Sequence, residues 1–126
     1  MDAALSRFDE LWDFDDPAGT EARFRELLPR AGSDRALALQ IRTQIARTLG
    51  LQKKWSEAHA MLDAVEAALP SAPDVVRVRW LLERGRVLNS SGERERARPL
   101  FREAWGLARA AGEDGFAVDA AHMVAI

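Results

Sequence analysis

Apolar residues recur every three or four positions along nearly the whole chain, which is the period of a helix with one buried face. Ala4, Leu5, Phe8, Leu11 and Trp12 form one stripe and predict a helix over about 3–14. The run DDP breaks it: Asp16 is suited to cap the next helix, and Pro17 lacks only an N–H that the first turn leaves unpaired. That second helix runs to about Leu28 and ends at PRAGSD. Ser33 or Asp34 caps a third, with Leu37, Ile41, Ile45 and Leu49 on one face. A fourth, 54–69, carries Ala58, Met61, Leu62, Val65 and Leu69 and stops at PSAPD. Asp74 caps a fifth, 75–90, with the stripe Val78, Leu81, Leu82, Gly85 and Leu88. The sixth, 93–111, buries Ala97, Leu100, Phe101, Ala104 and Ala108, and a seventh begins near 115. Tyrosine is absent, β-branched residues are few and no alternation is sustained, so the fold class is all-α.

Every connection is short, and short connections make neighbouring helices antiparallel. The expected units are hairpins at about 3–28, 34–69 and 74–111, plus an unpaired helix at about 115–126, all within a single domain 1–126. The hairpins share a layout at an offset of 39: Ile41 matches Trp80, Ala46 matches Gly85, Leu49 matches Leu88, Ala58 matches Ala97, Leu62 matches Phe101 and Val65 matches Ala104. Small residues at 46, 85, 58 and 97 let helices cross closely, and Leu62 and Phe101 fill the space they leave. Such self-similarity marks units that bury their faces by stacking.

Ala46, Leu49, Ala58, Leu62, Val65 and Pro70 resemble one copy of the tetratricopeptide repeat, and Gly85, Leu88, Gly92, Ala97, Phe101 and Ala104 resemble another. Trp55 stands where that family prefers an aromatic. A degenerate first copy keeps Leu11, Thr20, Phe24 and Leu27, with Phe8 in place of the small residue, and DGFAVDAAHMVAI resembles the opening of a fourth. The spacing exceeds the family's usual ~34 residues. Arg42 and Arg84 replace apolar residues, and Pro99 falls inside the sixth helix and should bend it. The resemblance implies hairpins stacked as a right-handed superhelical solenoid of about seven helices, and a protein–protein interaction scaffold with no catalysis and no cofactor.

Composition narrows the chemistry. With 126 residues and no cysteine, the chain has room for a core without staples and has no thiolate site. No apolar run approaches the ~20 residues that cross a bilayer, and the N-terminus reads as no signal peptide, which together point to a soluble cytoplasmic protein without a membrane partner. The Ala- and Arg-rich usage fits a GC-rich bacterial genome. The net charge of −2 hides a segregation: residues 1–34 hold nine acids and four bases, and residues 35–56 hold five bases and no acid. Five bases are a weak footprint for nucleic acid, and charge pairing between neighbouring helices accounts for them better. His59 and His122 lack a second ligand at metal spacing, apart from Asp63 after His59, and no phosphate loop or nucleophile elbow is present. The acids of DELWDFDD lack the spacing of a calcium loop.

In the family the first helix of each pair lines the concave face. Here that places Gln40, Thr43 and Arg47 on one stripe and Arg79, Leu82, Arg86 and Asn89 on the next. Arg47 and Arg86 are equivalent positions and should lie near each other. Two readings stand side by side: the arginines receive an acidic peptide or partner helix, or they pair with acids on neighbouring helices. The four tryptophans default to core packing. A pocket near Trp80 would make a small-molecule sensor, and an RNA-binding repeat is a further alternative. FAVDAAHMVAI carries Phe116, Val118, Met123, Val124 and Ile126 without a following helix, which raises a homodimer through 115–126 or a longer array.

Overall fold

The computed structural model describes residues 5–125, and among them it is all-helical, with no strand. An N-terminal 3-10 segment, Leu5–Leu11, precedes six α-helices: α1 (Pro17–Leu27), α2 (Arg35–Leu51), α3 (Trp55–Ala68), α4 (Asp74–Ser90), α5 (Arg94–Ala110) and α6 (Asp114–Ala125). Short 3-10 turns at Leu28–Ala31 and Leu69–Ser71 extend α1 and α3. No helix among the described residues is long and apolar enough to cross a membrane.

Local chemistry explains most boundaries. Asp16 accepts the Gly19 N–H at 3.0 Å and Asp34 accepts the Leu37 N–H at 3.0 Å, each satisfying a donor that a helix start leaves orphaned. Three turns share one closure: Lys54 N–H to Leu49 C=O at 2.9 Å, Glu93 to Leu88 at 2.8 Å and Glu113 to Ala108 at 2.8 Å. The residue before each donor is left-handed: Lys53 (φ 62°), Gly92 (φ 92°) and Gly112 (φ 75°). This is the Schellman closure, in which glycine is favoured. Asp74 departs from expectation: it is the first helical residue, Pro73 precedes it as the cap, and no side chain caps the helix. Pro99 lies inside α5 on its exposed side.

Each α-helix packs on the next, and α4 also touches α2 and α6, so that α2, α4 and α6 form a row. Ile41, Ile45, Ala46 and Leu49 of α2, and Val78, Leu81, Leu82 and Leu88 of α4, are buried along it. Each aliphatic side chain of this size contributes about 1.5–3 kcal/mol on burial. The close crossing expected at position 85 is observed: a Cβ built on Gly85 would stand 2.6 Å from Phe101 Cε1. Ala46, Ala58 and Ala97 are likewise buried.

The N-terminal end departs most from expectation. The helix expected over 3–14 is a 3-10 segment interrupted at Arg7 (φ −106°, ψ 29°), and Ala4 lies outside the described residues, as does Ile126. Leu5 and Phe8, three apart, reach the core, whereas Leu11 is exposed. Phe8 and Trp12 both meet Phe24 of α1 edge to face, with centroids 5.6 and 5.5 Å apart. Trp105, expected in the core, is 41% exposed on α5 with the Arg109 guanidinium 5.2 Å from its ring.

Candidate functional site

The row of α2, α4 and α6 carries a band of polar side chains, and the N-terminal segment lies across it. The band is built on the offset of 39. Arg79 Nε donates to Gln40 Oε1 at 3.1 Å, and Gln44 Nε2 donates to Glu83 Oε2 at 3.0 Å, each bond joining residues 39 apart. Equivalent positions of α2 and α4 therefore face each other directly.

Glu83 is the centre of the charge pattern. It is 2% exposed; its Oε2 also accepts from Arg86 Nη1 at 2.7 Å, and Arg47 Nε stands 3.9 Å from its Oε1. Oε1 has no hydrogen-bond partner. Arg86 continues to Asp119 of α6. Burial alone would lower the Arg86 pKa, but the Glu83 and Asp119 carboxylates outweigh it and hold it above the usual guanidinium value. Burial lowers that of Arg47, with the Arg86 charge adding to the depression and Glu83 opposing it. Position 47 thus does lie near position 86, as the repeat phase predicts.

At the other end of the band Arg79 is 6% exposed and binds both carboxylate oxygens of Asp9, 70 residues away. Its guanidinium lies 5.3 Å from the Phe8 ring centroid and 4.7 Å from that of Phe116 of α6. Trp12 Nε1 donates to Gln44 Oε1 at 3.0 Å. Trp12 and Phe14 stack with centroids 4.5 Å apart, and the Arg47 guanidinium sits 5.3 and 4.8 Å from the two rings. Cation–π contacts of this kind contribute about 0.5–1 kcal/mol where partly exposed.

Of the stripe expected from the sequence, Gln40, Arg47, Arg79 and Arg86 belong to this band. Thr43 and Leu82 need correcting: they are 0% and 1% exposed, and Thr43 donates its hydroxyl to the Gln40 carbonyl, so neither presents a surface. Their places in the band are taken by their neighbours Gln44 and Glu83. The arginines meet acids of neighbouring elements, with Asp9, Glu83 and Asp119 opposite Arg79, Arg47 and Arg86. The band is consequently close to neutral rather than an open positive stripe. The sequence reading missed Gln44, Glu83, Asp9, Trp12 and Asp119; the polar pair at 44 and 83, again 39 apart, was the available signal for two of them.

Beyond the N-terminal segment the band opens into two adjoining clefts. One, of about 200 Å³, is lined by Arg47, Leu51, Arg86, Asn89 and Met123 among others. The next, of about 300 Å³, is lined by Asn89, Arg94, Arg98, Phe101 and Met123. Asn89, expected on the binding face, stands between them. Leu51 is 49% exposed at the edge of the first.

Trp80 lies elsewhere, about a third of a turn around α4 from the band. It is buried, and its indole N–H donates to the Leu62 carbonyl at 2.9 Å, so its polar edge is committed. It borders an open hollow of about 370 Å³ together with His59, Asp63, Glu66, Arg84, Arg96 and others. Arg84 there binds His59 Nδ1 at 2.6 Å and Asp63, and lies 3.7 Å from Glu66. Burial, followed by the Arg84 charge, lowers the His59 pKa below its ordinary value. No family model, curated protein or solved structure matches the chain.

Proposed function

We propose that this protein is a helical-repeat scaffold of the tetratricopeptide kind that binds another protein on the α2–α4–α6 face, without covalent chemistry. The observation that carries the reading is the pair of hydrogen bonds between residues 39 apart, Gln40–Arg79 and Gln44–Glu83. They agree with stacked, equivalent first helices, the arrangement by which repeat arrays make one continuous face. The clefts at Asn89, with the exposed Leu51 and the arginines 94 and 98 at their rims, offer a partner apolar and cationic contacts in alternation. The partner is a protein segment carrying carboxylates, since guanidinium groups pair carboxylates with defined geometry.

The test is affinity capture from a lysate with the chain and with a Leu51→Glu/Arg98→Glu variant, both positions being exposed. The expected result is a set of proteins enriched by the parent and lost by the variant at an unchanged melting midpoint. Equal capture by a folded variant removes this face as the docking site.

A further inference from the structure

Residues 9–14 are attached to the face differently from the residues just before them. Leu5 and Phe8 are 3% and 2% exposed and belong to the core. From Asp9 onward the segment touches the polar band: Asp9 on Arg79, Trp12 on Gln44, and Trp12 and Phe14 beneath Arg47. Its own side chains remain open to solvent, with the Asp9 side chain 46% and Phe14 56% exposed. These contacts are single hydrogen bonds, a part-exposed ion pair and cation–π contacts, each individually weak. The receiving side chains Gln40, Gln44, Arg47 and Arg79 come from two helices and are held by their own bonds across the 39-residue offset. The face is therefore organised, and what covers it is lightly held.

The spacing of the covering residues has a geometric reason. In a 3-10 helix positions i and i+3 eclipse, so Asp9 and Trp12 project from the same side and reach Arg79 and Gln44 together. Phe14 then returns to stack on Trp12.

We infer that residues 9–14 are an intramolecular stand-in for the segment this face receives from a partner protein. That segment carries a carboxylate three residues before a tryptophan and a second aromatic two residues after it. The inference rests on the scaffold reading above and names the chemistry of its partner. Binding by such a segment displaces Asp9, Trp12 and Phe14 from Gln44, Arg47 and Arg79 while Leu5 and Phe8 stay in the core.

The test uses the full chain and a labelled peptide of residues 5–16, LSRFDELWDFDD, followed by fluorescence anisotropy. A chain carrying Asp9→Ala, Trp12→Ala and Phe14→Ala has the face uncovered. It should bind the peptide at least tenfold more tightly than the parent does, which is about 1.4 kcal/mol. Adding Arg47→Ala to that chain should reverse the gain, and a peptide with alanine at the three positions should not bind. Equal binding of the peptide by the parent and the uncovered, folded chain overturns the inference, as does equal binding of the alanine peptide. Should the triple variant unfold, hydrogen exchange on the parent decides. Amides of residues 9–14 are expected to exchange at least a hundredfold faster than those of α2, and faster still with the peptide added in excess. Protection equal to α2, unmoved by peptide, overturns it. If the Leu51→Glu/Arg98→Glu variant loses captured partners while no peptide binds the uncovered chain, this inference falls and the scaffold reading stands. If neither shows binding, both fall.

Discussion

Gly85→Ala and Gly106→Ala are the same substitution in adjacent helices, and the structure assigns them opposite signs. Removing a glycine from a helix interior gains about 1 kcal/mol of helix preference at either position. At Gly106 nothing lies within 4 Å of the added methyl, so the gain is realised in full. At Gly85 the methyl would lie 2.6, 2.9 and 3.0 Å from three Phe101 ring atoms. Ordinary carbon contacts are about 3.5–4.0 Å, so the ring must retreat by nearly 1 Å. Phe101 is 3% exposed and has room only toward the cleft it shares with Asn89 and Met123. Overpacking of this degree costs about 1–3 kcal/mol. The net effect at Gly85 is therefore a loss of about 1 kcal/mol, and the two variants should differ by about 2 kcal/mol. For a chain of this size that is a separation of about 8 °C in melting midpoint. Urea unfolding followed by far-UV circular dichroism reads the free energies directly. Phe101→Leu in both backgrounds completes a cycle, and a coupling of about 1 kcal/mol or more between positions 85 and 101 is expected. If both alanines stabilise equally and the cycle shows no coupling, the close α4–α5 crossing is wrong.

The turn between α2 and α3 places Lys53 at φ 62°, where Gly92 serves one repeat later, so Lys53→Gly should stabilise and Gly92→Lys destabilise, each by about 1 kcal/mol in urea melts. Glu83→Gln removes the buried charge between Arg47 and Arg86 and should cost about 3 kcal/mol; an unchanged urea midpoint would mean the network contributes nothing. His59 takes up a proton near 6.5 when unfolded and only at lower pH when folded, so its contribution is complete above pH 6.5 and declines as the pH drops from there toward the folded value. His59→Gln should flatten that decline, and NMR titration of the His59 ring checks the direction of the shift.

Helices, their period and most of their ends were determined by the sequence alone, because those depend on neighbours within a turn or two. Asp16 and Asp34 cap helices that begin immediately after them, and the small residues at 46, 58, 85 and 97 are buried as their spacing implies. The offset of 39 even names the partners Gln40 and Arg79. Tertiary structure decided the rest. A helical stripe at spacings of three and four can continue from Gln40 to Arg47 through either Thr43 or Gln44, and the periodicity has no preference between them. Packing turned Thr43 and Leu82 inward and left Gln44 and Glu83 to bond across the row. Asp9 reaches Arg79 over 70 residues of chain. Neither residue's neighbours in sequence encode that meeting; it arises because Leu5 and Phe8 anchor the N-terminal segment in the core and carry its remaining residues across the face of α2 and α4.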